Sequence, residues 1–304
     1  MGKSITVSII FKGQSLNYGE GIGNISELKK FTRNDGNYYS LATRQALTYD
    51  IRRLGADIFN WNLQTVDKSK GTIQFKNEFT IKDSEEMDLF GYMKTSKKEK
   101  DDRGGSAIRS ATARVSTAIS LEPYKSDMDF LSNKGFADRI GEHPNLANSE
   151  QHLSYYTYTV TIDLDKVGID GSITLDNSER AKRVCQLLDL IKILNRNIRG
   201  RQENLSPLFI IGGMYDIANP FFLGRIELET EKGKFNIKTE PIKDTLDMTI
   251  LDCNVKENTS IGIVSGIFGN QDEINRLIEE GVSNIEGFFK GLKNKVNSYY
   301  GVWF

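Results

Sequence analysis

The chain has 304 residues and 38% hydrophobic content, enough to bury a sizeable core in one large domain or two ordinary ones. A formal net charge of -1 and a pI of 6.2 count against a freely diffusing nucleic-acid binder, whose domain reads as strongly basic. No window approaches the roughly 18 apolar residues of a membrane span. The opening MGKSITVSIIF falls short of a secretory apolar region, and Cys185 and Cys253 match neither a disulfide framework nor a metal-ligand spacing. The expected setting is a reducing cytoplasm with two buried thiols.

In chain order, SITVSIIFK at 4–12 alternates loosely with β-branched residues and predicts a first strand. LNYGEGIGN at 16–24 follows, with Gly19, Gly21 and Gly23 spaced G-x-G-x-G. A dinucleotide fingerprint needs G-x-G-x-x-G opening a helix directly, so no nucleotide cofactor is expected. The glycines instead let backbone amides approach a phosphate or base, with Asn17, Tyr18 and Asn24 offering hydrogen bonds and a ring. ATRQALTYDIRRL at 42–54 predicts a helix whose stripe is Leu47, Ile51 and Leu54, with Arg44, Thr48 and Arg52 on another face and Gly55 as its end. Residues 72–82 read as a strand or hairpin arm, and DSEEMDLFGYM opens with acids suited to a helix start.

KTSKKEKDDRGG at 94–105 has no apolar residue and reads as a solvated excursion. In LSYYTYTVTIDL at 153–164, Tyr156, Tyr158, Val160, Ile162 and Leu164 share one strand face, and Tyr155, Thr157, Thr159, Thr161 and Asp163 the other. Core packing explains Tyr156 and Tyr158 better than a base-stacking platform. A helix follows from about Ser178 to Asn197, with Val184, Leu187, Leu188, Ile191 and Leu194 as its stripe and its positive charges mainly outside it. Across 179–201, seven cations face only Glu179 and Asp189, a local excess of five that presents a patch to a polyanion. SPLFIIGG at 206–213 reads as a buried strand, and FFLGRIELETEKGKFNIKTEP as two strands about a turn at Lys232-Gly233. The tail from Asp272 to Tyr300 has one amphipathic helical stripe.

The order of strand, helix, strands, helix, strand resembles a split βαβ, ferredoxin-like core with large insertions in one decorated domain. GGMYD at 212–216 offers only Asp216 where two-metal chemistry needs adjacent carboxylates, so no metal site is expected. His143 and His152 have no Ser, Cys or acid partner at a recognisable spacing, which leaves a histidine-based ribonuclease site poorly supported.

Three blocks, SLNYGEGIGNISELKKFTRNDGNYYSLATRQALTYDIRR at 15–53, SLEPYKSDMDFLSNKG at 120–135 and IRGRQENLSPLFIIGGMYD at 198–216, resemble the Cas-seven backbone subunit of CRISPR Cascade, in the DevR-type branch found with type I-B systems. The resemblance implies an α+β fold: a modified ferredoxin-like or RNA-recognition-motif palm at about 1–60, 150–215 and 224–270, a finger insertion at about 61–150, a thumb-like hairpin at about 212–223, and a C-terminal helix at about 272–298. It also implies that copies stack along the CRISPR RNA, that target DNA joins as a guide heteroduplex, and that the partners are other copies of the chain and the cap, large and small Cascade subunits. Asn17, Tyr18, Gly21, Asn24, Arg44, Gln45, Arg52, Arg53, Arg109, Arg196 and Arg199 become the candidate RNA contacts. Lys97, Lys98 and Arg103 become finger contacts to RNA or DNA, and Met214, Tyr215, Phe221 and Phe222 apolar wedges on the thumb. Asp35 occupies a loop comparable to the one that carries the cleaving acid in type III relatives, but type I members are not nucleases, so it is expected not to be catalytic. The rival class is a metal-dependent ribonuclease or nucleotide cyclase on a related palm core.

Overall fold

Strand β1, Ser4–Gln14, sends Ile5, Val7, Ile9 and Phe11 to one side of a sheet and Ser4, Thr6 and Ser8 to the other, and both sides are buried. The computed structural model describes residues 2–68, 71, 73–95, 106–250, 252–278 and 281–302. After the glycine segment come β2 (Ile25–Ser26), β3 (Lys30–Thr32) and β4 (Tyr38–Ala42), and then helix α1 (Arg44–Phe59). Thr43 caps α1, its side chain accepting from Ala46 N at 3.2 Å. The expected stop at Gly55 is not observed, because the glycine serves another purpose. The Trp61 indole packs where its side chain would be, and a Cβ there would lie 2.4 Å from the ring.

The chain then forms α2 (Glu85–Phe90), β5 (Tyr92–Thr95) and β6 (Ser106–Arg109) and returns to the sheet as β7 (Ala113–Val115) and β8 (Ala118–Ser120). A second excursion is built from β9 (Asp127–Ser132), α3 (Lys134–Ile140) and β10 (Leu146–Gln151), and β10 leads into the long strand β11 (Leu153–Asp163). The expected insertion at 61–150 is therefore two insertions, since β7 and β8 between them pair with β11 inside the main sheet. Lys97, Lys98 and Arg103 lie outside the described residues.

Helix α4 (Asn177–Lys192) ends earlier than its expected limit at Asn197, and the next residues form the hairpin β12 (Asn195–Ile198) and β13 (Arg201–Asn204). Then follow β14 (Phe209–Tyr215), β15 (Leu228–Glu231), β16 (Lys234–Ile237), α5 (Glu240–Leu246) and β17 (Thr259–Ile263). The C-terminal stripe is divided. Helix α6 (Gln271–Leu277), strand β18 (Val282–Ser283) and helix α7 (Ile285–Tyr300) replace one continuous helix, because β18 is drawn into parallel pairing with β17.

Among the described residues nine strands make the main sheet, in the order β18-β17-β14-β1-β11-β8-β4-β3, with β7 also on β11. Leu47, Ile51 and Leu54 of α1, Val184 to Ile191 of α4 and Phe289 to Tyr300 of α7 pack on one face, against Tyr156, Tyr158, Val160 and Ile162. The segment 216–278 covers part of the other face and gives a second core around Phe209, Ile211, Phe222, Ile242 and Ile261. This overturns the wedge reading of 212–223. Met214 packs against the first core, Tyr215, Phe221 and Phe222 are buried in the second, and the Tyr215 and Phe221 rings meet at a tilt of 55° with centroids 4.7 Å apart. Gly212 and Gly213 belong to the middle of a sheet where a Cβ would strike Thr6 O at 2.0 Å and Asn258 O at 1.7 Å.

Candidate nucleic-acid interface

The glycine segment folds back on itself as a narrow ribbon. Gly19 N donates to Glu27 O at 2.8 Å, and Ile22 and Ile25 exchange backbone hydrogen bonds across a turn at Gly23, whose φ is +61°. Gly21 has a packing reason to be glycine, since a Cβ would lie 2.7 Å from Ile25 O. Asn17 is buried and donates from Nδ2 to Thr43 Oγ1 at 3.1 Å, which ties the ribbon to the capping residue of α1. Asn24 is exposed at the ribbon tip. Arg44 and Gln45 are exposed on the first turn of α1, and among the described residues neither side chain has a hydrogen-bond or ion-pair partner.

Tyr18 is half-buried, its hydroxyl donating to Glu150 O at 3.0 Å, and the Arg199 guanidinium lies over its ring at 3.7 Å from the centroid. Arg199 and Gly200 form the two-residue turn between β12 and β13 with φ of +49° and +75° and register Ile198↔Arg201, a type I′ hairpin. Beside this stack opens a cleft of about 380 Å³ walled by Asp129, Leu131, Ser149 and Gln151 on one side and Arg199 and Arg201 on the other, with Gln14 between. The arrangement offers an aromatic face, two cations and amide side chains in one place. It suits a sugar-phosphate strand with an unpaired base.

Other candidate contacts are spent inside the fold. Arg196 donates from Nε to Leu16 O at 2.7 Å and from Nη1 to Asp50 Oδ2 at 2.6 Å, so it clamps the start of the ribbon and the hairpin to α1. Arg53 donates to Asn195 O at 3.0 Å and Oδ1 at 2.8 Å, and Arg52 pairs with Glu86 while its Nε bonds Thr48 O at 3.0 Å. Arg109, 7% exposed at its side chain, sits on Asp88 at 2.5 Å, where Arg183 arrives at 3.0 Å and Gly168 N at 2.9 Å. The local excess of positive charge at 179–201 is accordingly not a surface patch. Arg180 caps the carbonyls of Leu164, Asp165 and Val167, Arg183 is buried, and Lys192 reaches Glu286 at 2.9 Å.

A network absent from the expectations backs the ribbon from below. His152 Nδ1 and Ser40 Oγ are 2.6 Å apart, and Ser40 Oγ and Tyr156 Oη 2.7 Å, all three buried. His152 O accepts from Ser15 N at 2.9 Å, so the ring anchors the turn that starts the ribbon. Burial pushes the imidazole below its ordinary pKa, against the opposing pull of Glu122 and Asp127. Burial also pushes Glu150 up, but hydrogen bonds from Lys30 at 2.6 Å and Leu28 N at 2.7 Å outweigh it and leave the carboxyl below its usual range. Sequence spacing does not reveal His152 with Ser40, because 112 positions separate them. Asp35 is exposed and accepts from Tyr39 Oη at 2.7 Å and Asn37 N at 2.9 Å, which lowers its pKa, the tyrosine bond first. Among the described residues no group of three or more His, Cys, Asp and Glu is placed to hold a metal ion. No described helix is long and apolar enough to cross a membrane. Cys185 is half-buried, with its thiol pushed up to about 11 by desolvation, while the Cys253 side chain lies outside the described residues.

Comparison with known proteins converges on one family. The model described as CRISPR-associated negative auto-regulator DevR/Csa2 matches residues 5–230. The CRISPR-associated protein Cas7/Cst2/DevR of Myxococcus xanthus (strain DK1622) is 27% identical over 158 residues, 48% of this chain and 52% of that protein, so the match spans about half the length of this curated relative. Among solved structures, a chain of a CRISPR RNA-guided surveillance complex, pre-nicking, superposes with a TM-score of 0.62 at 9% identity over 96% of this chain and 100% of its own. A chain of a CRISPR RNA-guided surveillance complex gives 0.59 at 11% over 96% and 99%. These two likenesses are of fold, whereas the family match runs through β1, the glycine ribbon, α1, α4 and the Arg199 hairpin. The chain belongs to the DevR/Csa2 family of CRISPR-associated proteins.

Proposed function

We propose that this protein is a non-catalytic, CRISPR-RNA-binding backbone subunit of a type I-B Cascade, that its copies line up along the guide RNA, and that the assembly supports target DNA paired to that guide. The observation that carries the reading is the Arg199 guanidinium stacked on Tyr18 beside the cleft. A stacking face with flanking cations holds a strand whatever its sequence, as a backbone subunit requires when base pairing reads the target. The strand order β14-β1-β11-β8, with α1 and α4 against one face, supports a ferredoxin-like palm of the RNA-recognition-motif kind. The β12-β13 hairpin takes the place of the thumb and the two excursions those of the fingers. Contacts to RNA come from Tyr18, Asn24, Arg44, Gln45, Arg199 and Arg201, while Asn17, Gly21, Arg52, Arg53, Arg109 and Arg196 shape the surface. The cap, large and small Cascade subunits are the proposed partners, and the cytoplasm the setting.

A net charge of -1 fits such a role, since each copy holds few nucleotides and grip accumulates by repetition along one strand. Asp35 spends its carboxylate on Tyr39 and Asn37, which supports a structural role for it. The test is native purification followed by extraction and sizing of co-purifying RNA, repeated with Arg44→Glu and Arg199→Glu. RNA retained by the parent and lost with both changes is the expected result. A parent that ignores added guide RNA, or magnesium- or manganese-dependent cleavage of single-stranded RNA that Asp35→Ala abolishes, overturns the reading.

A further inference from the structure

The cleft beside Tyr18 carries a charge that works against a polyanion. On one wall β9 and β10 pair with Asp129 directly opposite Ser149, and Asp129, Leu131, Ser149 and Gln151 all line the cleft. The amide and hydroxyl groups there are already engaged with one another. Gln14 donates from Nε2 to Gln151 Oε1 at 3.2 Å, Ser15 Oγ donates to the same oxygen at 2.9 Å, and Gln151 donates from Nε2 to Ser149 Oγ at 2.9 Å. Asp129 differs. It is exposed, and among the described residues its carboxylate has no hydrogen-bond or ion-pair partner. Arg199 and Arg201 stand on the facing wall, the first over the Tyr18 ring and the second near Glu203 at 3.8 Å and Gln14 O at 3.4 Å, so the cleft holds the acid and the cations apart.

A free carboxylate repels phosphate, and keeping one where a strand is held is favourable only if the strand brings it a donor. Phosphate and ring oxygens only accept hydrogen bonds. The donors on a nucleic-acid strand are base N–H groups, which vary with sequence, and the ribose 2′-hydroxyl, which every RNA nucleotide carries and DNA lacks. With the base at the Tyr18–Arg199 stack and the phosphate towards Arg199 and Arg201, the sugar between them is the part left to face the β9 wall. A subunit that holds its strand whatever the sequence can use only the donor common to all nucleotides.

We infer that Asp129 is a specificity-determining residue that accepts a hydrogen bond from a ribose 2′-hydroxyl and so selects RNA over DNA at this cleft. The inference rests on the RNA-binding reading above and adds to it the group that tells the two kinds of strand apart. Asp129 acts in both directions: it attracts a strand that has the hydroxyl and repels one that lacks it, because the carboxylate then faces phosphates without a donor.

The test is fluorescence anisotropy at fixed salt with short oligouridines of one length built on ribose, deoxyribose or 2′-fluoro-ribose, the last keeping an RNA-like sugar shape without a donor. The parent is expected to bind the ribose strand about ten-fold more tightly than either of the others, the effect of one hydrogen bond to a charged group. Asp129→Ala is expected to bind all three alike, more weakly than the parent for ribose and more tightly for the other two. Asp129→Asn, which keeps an acceptor oxygen without the charge, is expected to retain part of the preference. Tighter binding of two strands is a change that a damaged fold cannot produce. A parent that does not separate ribose from 2′-fluoro-ribose, an Asp129→Ala protein that still does, or a preference that follows the base when oligocytidine replaces oligouridine overturns the role of Asp129 while leaving RNA binding standing. A parent that binds none of the strands overturns the proposed function on which the inference rests.

Discussion

Single residues divide into those turned outward and those consumed by the fold. Arg199 and Tyr18 form a stack open to the cleft, and base-aromatic stacking is worth about 1–3 kcal/mol per base. Tyr18→Ala is expected to weaken single-stranded RNA binding by about 5- to 150-fold, read by fluorescence anisotropy at fixed salt, with thermal stability nearly unchanged. Asp88→Asn is expected to do the reverse. It removes the buried carboxylate that Arg109 and Arg183 share, leaving Arg183 its pair with Glu179 at 2.9 Å and Arg109 only the longer one with Asp170 at 3.8 Å, at a cost of about 3 kcal/mol in denaturant unfolding. His152 gives a pH signature whose sign follows from burial. Its folded pKa is depressed, so its contribution is intact above the ordinary value near 6.5 and is lost as pH falls below it, where the unfolded chain takes the proton first. Melting temperature should fall with acidification below about pH 6.5 in the parent, and His152→Asn should flatten that slope.

At the scale of elements, two helical glycines predict opposite outcomes from the same change. Gly55→Ala in α1 drives a methyl into Trp61 and is expected to destabilise by about 1–3 kcal/mol despite the better helix former. Gly291→Ala in α7 meets nothing within 4 Å and is expected to stabilise by about 0.5–1 kcal/mol, with chemical denaturation distinguishing the two. Element identity was largely legible in the sequence. The alternation of 153–164 gives β11 with Tyr156, Tyr158, Val160 and Ile162 in the core, and Lys232-Gly233 turns β15 into β16 with φ of +49° and +76°. Element limits were less legible, for identifiable reasons. Gly55 reads as a helix stop unless Trp61 is known to need the space, and the apolar stripe of 272–300 hides the residues that β17 recruits as β18. The hairpin 195–204 had its own signal, an Arg-Gly pair flanked by four-residue polar strands, but helical periodicity carried into it from α4 concealed it.

On the scale of the whole molecule, most arginines proposed for RNA are internal struts, so each copy grips few phosphates. The salt dependence of short-RNA binding should be shallow, and Arg44→Ala should reduce the slope of log K against log salt by about 0.7, the share of one phosphate on a single strand. A variant that leaves this slope unchanged while lowering affinity would place Arg44 away from the backbone. The sheet also decides what the two-fold split of the core means. Phe222 faces the second core, and Phe222→Ala is expected to cost about 3–5 kcal/mol of stability, in contrast to the loss of nucleotide spacing that an exposed wedge implies.

The sequence by itself determined the types of the long strand at 153–164 and of the main helices, the buried stripes, the glycine loop and the resemblance to the family, because periodicity, turn chemistry and local blocks are carried by neighbouring residues. Only the tertiary structure decided which charges are free. Arg52 and Arg199 look alike as letters, yet one finds Glu86 and the other finds Tyr18 across distances of 34 and 181 positions. Whether a cation is a strut or a contact depends on what long-range packing brings beside it, and burial then fixes the choice, since an arginine desolvated without a counter-charge is too costly to keep.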